Sequence, residues 1–396
     1  MQRPIFFIVS AVLVLVLLIA WVYILFFSQT PTSDDPAFVN FPGSDSSSVV
    51  VSDPNISDTQ PVIDLMSPDR LRQLTLEPVI GFKEVLTASG SSPKIYYVTA
   101  GRGHIFSIDL TTGEEVRVSG TTIASARYSE ITPDGSYALT QSGRGAGSRF
   151  FVSALNTGAG NAPLAVIQED IVSFKATIDN TFLYARKVGN GLEVKEYFPI
   201  ERTSEALFTI PFQEAVIEWG VNAFDTHFIY PKASTQLEGY LYIGQSGEPL
   251  VRVMPSGFGF SAIGNLVYSL FSVQAQGFYQ TFVYDQFDKS IEPLLISVIP
   301  QKCASLAQQN KMVCASEIDK HTIRTPDDWH EGTLSFADTL YEVDLETGIL
   351  QVLVDTLVES GRALDIINPK MGREDATVYF QNKNDQTLWL FEKINE

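Results

Sequence analysis

One hairpin recurs along this chain, and its spacing restricts the fold more than any other feature. "SIDLTTGEEVRV" (Ser107–Val118) returns as "EVDLETGILQVL" (Glu342–Leu353): an apolar strand, Asp-Leu-x-Thr-Gly, then a second strand. Weaker copies are "VSALNTGAGNAPL", "FPIERTSEAL", "LYIGQSGEPL" and "VYDQFDKSIEPL". Marking each turn by Thr112, Thr157, Thr203, Ser246, Asp288 and Thr347 gives intervals of 45, 46, 43, 42 and 59 residues. Between the turns run short apolar and aromatic strands such as "KIYYVTA", "TFLYARKV" and "TFVYDQF". No long amphipathic helices alternate with them, so the region reads as all-β.

A period of ~40–50 residues is that of a four-stranded propeller blade. A seventh unit follows the last hairpin: "ALDIIN", "ATVYFQN" and "TLWLFEKI" supply three strands and the chain stops. The unused "RQLTLEP", Arg72 to Pro78, is placed to be the missing outer strand, which would close the ring and remove a sheet edge. The expected fold is a single β-propeller of seven four-stranded blades, with six or eight also compatible with the spacing. The Asp-Leu-x-Thr-Gly turns would join third to fourth strands. "SEITPDGSYALT" (Ser129–Thr140) would be the inner hairpin of blade two.

Such Pro-Asp-Gly hairpins resemble those of TolB-like and WD40-like propellers over most of residues 70–396. The chain carries no Trp-Asp repeat ending, no double-glycine kelch mark and no sialidase Asp-box, so the likeness is architectural. Its order of features also resembles a group of membrane-anchored bacterial propellers: an apolar span, an acidic linker, "GHIFSIDL", paired cysteines and "PDDW". That resemblance implies the fold and no activity.

The span is "IFFIVSAVLVLVLLIAWVYILFF", Ile5 to Phe27, 23 residues without a charge. As a helix it would cover ~34 Å, enough for a hydrocarbon core of ~30 Å. Its length, aromatic end and lack of a small-residue cleavage pattern indicate an uncleaved signal anchor over residues 1–27. Arg3 precedes it, and no Lys or Arg follows until Arg70, which orients the N-terminus to the cytoplasm and the remainder outside the cell membrane. Residues 28–68 read as a Ser/Asp/Pro-rich spacer and 69–396 as the extracytoplasmic propeller. The latter holds 40 acidic and 26 basic residues, which argues against nucleic acid as a partner.

Cys303 and Cys314 flank "ASLAQQNKMV". With Gln308 and Gln309 at a two-residue tip the thiols face each other; a three-residue tip shifts the register by one. Outside the cytoplasm such a pair is expected as a disulfide rather than a redox or zinc site.

The 59-residue interval is enlarged between "MVCASE" and "TLSFADTLYEVDL", around His321 to Glu331. This stretch holds Asp327, Asp328, Trp329 and His330, in a chain with four tryptophans and four histidines. In propellers the connection between second and third strands lies on the face of the blade-to-blade loops. Two readings of it compete: a helical turn whose Trp329 plugs a gap between blades, and an exposed recognition loop. Further rim candidates are Arg144 in "SGRGAGS" and Phe278 with Tyr279 in "VQAQGFYQTF".

Catalytic machinery is not assembled in the sequence. Adjacent Asp327 and Asp328 would point apart, whereas glycosidase carboxylates flank a cleft. No G-x-S-x-G elbow occurs, and His104, His227 and His321 lack metal-ligand spacing. No catalytic residue, metal or cofactor is assigned. The expected role is a binding or scaffold module for a protein or polymer of the cell envelope. An envelope lyase or hydrolase, or a structural subunit of a surface assembly, are the alternatives.

Overall fold

A computed structural model describes residues 69–85, 92–155, 164–253, 256–265, 267–306, 310–318 and 320–393. The apolar segment 5–27 and the linker 28–68 lie outside the described residues. Among the described residues no helix is long and apolar enough to cross a membrane.

The two strongest copies of the repeat turn are built the same way. Asp109 Oδ1 accepts from the backbone N–H of Thr111 and Thr112 at 2.9 and 3.0 Å, and Asp344 Oδ1 from Glu346 and Thr347 at 3.1 and 2.9 Å. The chain then needs a left-handed residue, supplied by Gly113 (φ 70°) and Gly348 (φ 69°). This is why Asp-x-x-x-Gly recurs. The repeat turns within the described residues join the third and fourth strands of a blade, as expected.

The strands form seven antiparallel sheets, six of four strands and one of five. Their inner strands, in order, are Val79–Val85, Ala126–Ile131, Ile171–Ala176, Ala215–Glu218, Gly257–Gly264, Cys303–Ser305 and Ile366–Met371. A single central core is absent from such a ring. Apolar side chains instead fill seven seams between adjacent blades, for example Leu139, Phe150, Phe174 and Tyr184 between blades two and three. Inner strands approach closely: a Cβ on Gly81 would collide with the Ser129 carbonyl.

Blade seven is completed by the N-terminal strand Leu71–Gln73, which pairs with Leu388–Glu392 in register Leu71↔Phe391, Arg72↔Leu390, Gln73↔Trp389. It is the strand the sequence offered, beginning one residue earlier and ending before Leu74. Antiparallel order places residues 69 and 393 on one face of the ring. The second-to-third-strand connections and the blade-to-blade loops lie on the other, the insert face.

The disulfide Cys303–Cys314 is formed, with Cys303↔Cys314, Ala304↔Val313 and Ser305↔Met312 directly opposed. The two-residue-tip register is the correct one. The bond joins the inner strand of blade six to its neighbour.

Candidate functional site

The enlarged connection of blade six runs from residue 317 to 338 on the insert face. Asp327–Glu331 forms one helical turn, α1, closed by Gly332 at φ 80°. The two adjacent aspartates face different partners. Asp327 accepts from the Thr235 N–H at 3.1 Å and the Thr235 hydroxyl at 2.6 Å, tying the insert to the 232–241 loop of blade four. Asp328 meets Arg324 Nε at 2.9 Å and the Thr322 hydroxyl at 3.0 Å. Trp329 is 5% exposed and packs with Tyr279, Ile299 and Phe336. His330 is exposed, its ring 5.0 Å from that of Trp329.

A buried cation holds this small core. Lys302, 1% exposed, lies 2.6 Å from Asp338 Oδ2 and 2.8 Å from Asp365 Oδ1, both carboxylates fully buried. Asp365 also accepts from Trp329 Nε1 at 3.0 Å and the Phe336 N–H at 3.2 Å, while Asp338 accepts from the Ile366 N–H at 2.6 Å. The Lys302 ammonium stands 4.2 Å from the Phe336 ring centre. Burial pushes the Asp338 carboxyl up to about 6, against the pull of Lys302. His321 stacks on Tyr279, donates its Nε2–H to the Ser297 carbonyl at 2.9 Å, and is held neutral by burial, its pKa lowered to about 4. The sequence reading passed over Lys302, Asp338 and Asp365. The available signal was an aspartate directly before an apolar strand in both "FADTLYEV" and "ALDIIN".

Of the other rim candidates, Tyr279 is 2% exposed and belongs to the insert core, whereas Phe278 is 70% exposed. Arg144 is exposed in the blade-two loop of the same face. Phe278 has apolar company that sequence did not single out: Leu237, Phe258 and Ile323 are all more than half exposed. Pairing brings them to one stretch of rim. Glu238 and Gln274 both oppose Phe258, Ala275 opposes Phe278, and Gln274 donates to the Thr325 carbonyl at 2.6 Å. Strand Glu238–Gly239 adds to the channel side of blade five.

The central channel holds a cavity of about 480 Å³. Charged side chains of the inner strands line it: Lys83, Glu130, Lys175, Glu218 and Lys370. Glu130 Oε1 accepts from Tyr128 OH at 2.8 Å and lies 3.4 Å from Lys370 Nζ and 3.9 Å from Lys175 Nζ. Burial works to raise the Glu130 pKa, but Lys175, Lys370, Tyr128 and Lys83 hold it below the ordinary value. Lys370 is lowered to about 8 by burial, against the pull of Glu130, with repulsion from Lys175 and Lys83 adding to the effect of burial. Lys83 is lowered by burial and by Lys175. Glu218 is raised to about 7 by burial, with Lys175 and Tyr230 opposing. Groups so displaced together are typical of functional clefts. Aligning the inner strands "FKEV", "SEI", "FKAT", "VIE" and "PKM" would have shown the recurring charge. Residue by residue, each looks like an ordinary polar strand position.

Among the described residues no group of three or more His, Cys, Asp or Glu could hold a metal ion. No protein-family model and no curated protein sequence matches the chain. Solved structures do. The β-propeller domain of the Trilobed protease from Pyrococcus furiosus superposes with a TM-score of 0.52 at 13% identity, over 80% of this chain and 96% of that one. An oligogalacturonate lyase in complex with manganese gives 0.54 at 12%, over 83% and 94%. The oligogalacturonate lyase of Vibrio parahaemolyticus gives 0.53 at 12%, over 85% and 94%. At these identities the likeness is one of fold alone. The protease domain is described as having an open velcro topology, whereas here strand Leu71–Gln73 completes the last blade. Sheet order, seam packing and these neighbours together establish the chain as a seven-bladed β-propeller.

Proposed function

We propose that the protein is a membrane-tethered, outward-facing binding module for a protein or polymer of the cell envelope, and that it engages this partner with the insert face. One observation carries the reading: Leu237, Phe258, Phe278 and Ile323 expose an apolar stretch of rim over blades four to six. Large exposed apolar side chains gathered on one face are characteristic of interaction sites. Both ends of the described chain lie on the opposite face, so a tether through residues 28–68 would leave the rim free. The buried core of Trp329 and Lys302 supports the reading indirectly, because it gives the insert a rigid base.

The test is capture from detergent-solubilised native membranes by the protein and by Phe278→Asp and Ile323→Asp variants. Both positions are exposed, so the variants should fold as the parent does. A partner retained by the parent and lost by both variants is the expected result. Equal capture by all three would sink the rim as a docking surface. Trp329→Ala is the wrong probe, because that side chain is buried and its loss reports on folding.

The alternative, an envelope enzyme, draws on the titratable groups converging in the channel. Those groups carry a separate inference.

A further inference from the structure

The channel is electrostatically opposite to the domain around it. The whole chain has a net charge of −19. In the cavity, Lys83, Lys175 and Lys370 face only Glu130 and Glu218, which leaves at least one positive charge in excess. Glu130 is shared by Lys175 and Lys370. Lys370 also donates to the Phe82 carbonyl at 3.1 Å. Lys83 is half-buried and makes no close ion pair among the described residues; Glu130 and Glu84 attract it from a distance. An excess cation in a partly desolvated channel costs free energy unless something neutralises it. Folding alone gives no reason to retain three ammonium groups that repel one another; apolar residues would fill the same seams at lower cost.

We propose that the channel is a binding site for a small, hydroxylated organic anion, whose carboxylate or phosphate group sits among Lys83, Lys175 and Lys370. The volume suits a sugar-sized molecule. The wall offers neutral partners such a molecule needs in the amides of Gln301 and Asn368, with Trp219 as an aromatic surface. Gln301 donates its Nε2–H to Tyr230 OH at 2.7 Å and Asn368 its Nδ2–H to Gln381 Oε1 at 2.8 Å, so both amides are oriented before a ligand arrives. Low-dielectric walls focus the excess charge, which draws small anions past an acidic exterior.

The site also carries a built-in pH dependence. Glu218 faces Lys175 and Tyr230, with Glu130, Lys83, Tyr128 and Lys370 across the cavity. Raised to about 7, it is largely neutral at pH 6 and adds a negative charge by pH 7.5. Anion binding therefore weakens over that interval. Glu218→Gln removes most of the dependence, leaving the smaller part that Lys370, at about 8, contributes.

Titration calorimetry on the full chain in mild detergent tests this with three probes: glucuronate, glucose 6-phosphate and glucose. At least one of the two anions should bind at pH 6, with glucose roughly tenfold weaker or silent. Lys83→Gln and Lys175→Gln should each weaken anion binding about tenfold at unchanged melting temperature. The affinity for glucuronate, whose charge is constant, should fall severalfold from pH 6 to 7.5 in the parent and much less in Glu218→Gln. Which anion binds distinguishes a carboxylate from a phosphate ligand. Binding of neither anion, equal affinity for glucose, or affinity unchanged in both lysine variants would overturn the proposal. None of these outcomes bears on the rim, whose test reads partner capture.

Discussion

Replacing Lys302 by methionine is the most informative single perturbation of this structure. Methionine fills much of the same volume, so packing changes little while the charge disappears. What remains is a pair of fully buried carboxylates, Asp338 and Asp365, which had the Lys302 amine at 2.6 and 2.8 Å. Breaking a buried pair by removing one partner typically costs ~3–5 kcal/mol, because a charge is left uncompensated in a medium that solvates it poorly. Lys383 offsets little of this, standing 3.9 Å from Asp365. With an unfolding entropy of ~2.1 cal/mol/K per residue over roughly 325 residues, each kcal/mol moves the melting temperature by ~1.5 °C. The expected loss is thus ~4–7 °C by differential scanning calorimetry or fluorimetry. Its pH dependence has a definite sign. Asp338 is already raised to about 6 in the folded protein, and losing the cation raises it further. A carboxyl whose folded pKa exceeds its unfolded one favours folding increasingly as pH falls through the folded value. The deficit of Lys302→Met should therefore be larger at pH 8 than at pH 5. A triple variant that adds Asp338→Asn and Asp365→Asn should recover part of the loss. A melting temperature within 1 °C of the parent at pH 8 would refute the view of Lys302 as the cation on which the insert rests.

Three further outcomes can be checked on the same instrument. Reducing Cys303–Cys314, or replacing both by alanine, frees a short loop of 11-residue separation, and should cost ~3 kcal/mol in the chain-entropy account. Gly348→Val places a β-branched residue at φ 69° and should cost ~1–2 kcal/mol, with Gly348→Asn closer to the parent. His321, kept neutral to about 4 by burial, favours the folded state fully above its unfolded value near 6.5. That contribution is lost as pH falls from ~6.5 to ~4, by up to ~1.4 kcal/mol per pH unit. His321→Gln should flatten the acid limb of a stability profile, and an unchanged slope would show that the ring protonates in place.

The fold was legible because its determinants are local and repeated. An aspartate that caps its own turn and a glycine in the left-handed region must sit a fixed distance apart, so the hairpin leaves the same letters in its two strongest copies and a fainter trace in the others. The disulfide register followed from counting across one hairpin. Ring closure followed from a blade that lacked one strand and a spare strand at the other end. The insert was half legible: "PDDW" suggested a helical turn with a plugging tryptophan, and α1 with buried Trp329 is what stands there. Its anchor was hidden, since Lys302, Asp338 and Asp365 come from separate connections that meet only in three dimensions. The channel was hidden for the same reason. Lys83 and Lys370 lie 287 positions apart in the chain, and only closing the circle makes them neighbours. Phe278 and Tyr279, adjacent in sequence, part company because successive strand residues face opposite sides: one is exposed and the other is buried.

The three-residue strand that completes blade seven also determines how the ring bears a load. Leu71–Gln73 starts at the face where the chain enters and runs toward the insert face, antiparallel to Leu388–Glu392. A pull arriving through residue 69, resisted by anything gripping the insert face, acts along these strands. It strains the hydrogen bonds of the pair in shear, all at once, rather than peeling them open in turn. The Leu74 N–H bond to the Leu388 carbonyl at 2.7 Å and the Arg72–Glu392 ion pair at 2.6 Å lengthen the sheared contact beyond the three paired residues. A tether attached at the carboxyl end would act on the same pair from its other side. A tether attached at a side loop would bypass it and bend a single blade. The closing strand is thus a mechanical latch as well as a cap on an edge, and its strength sets the force at which the ring would begin to open.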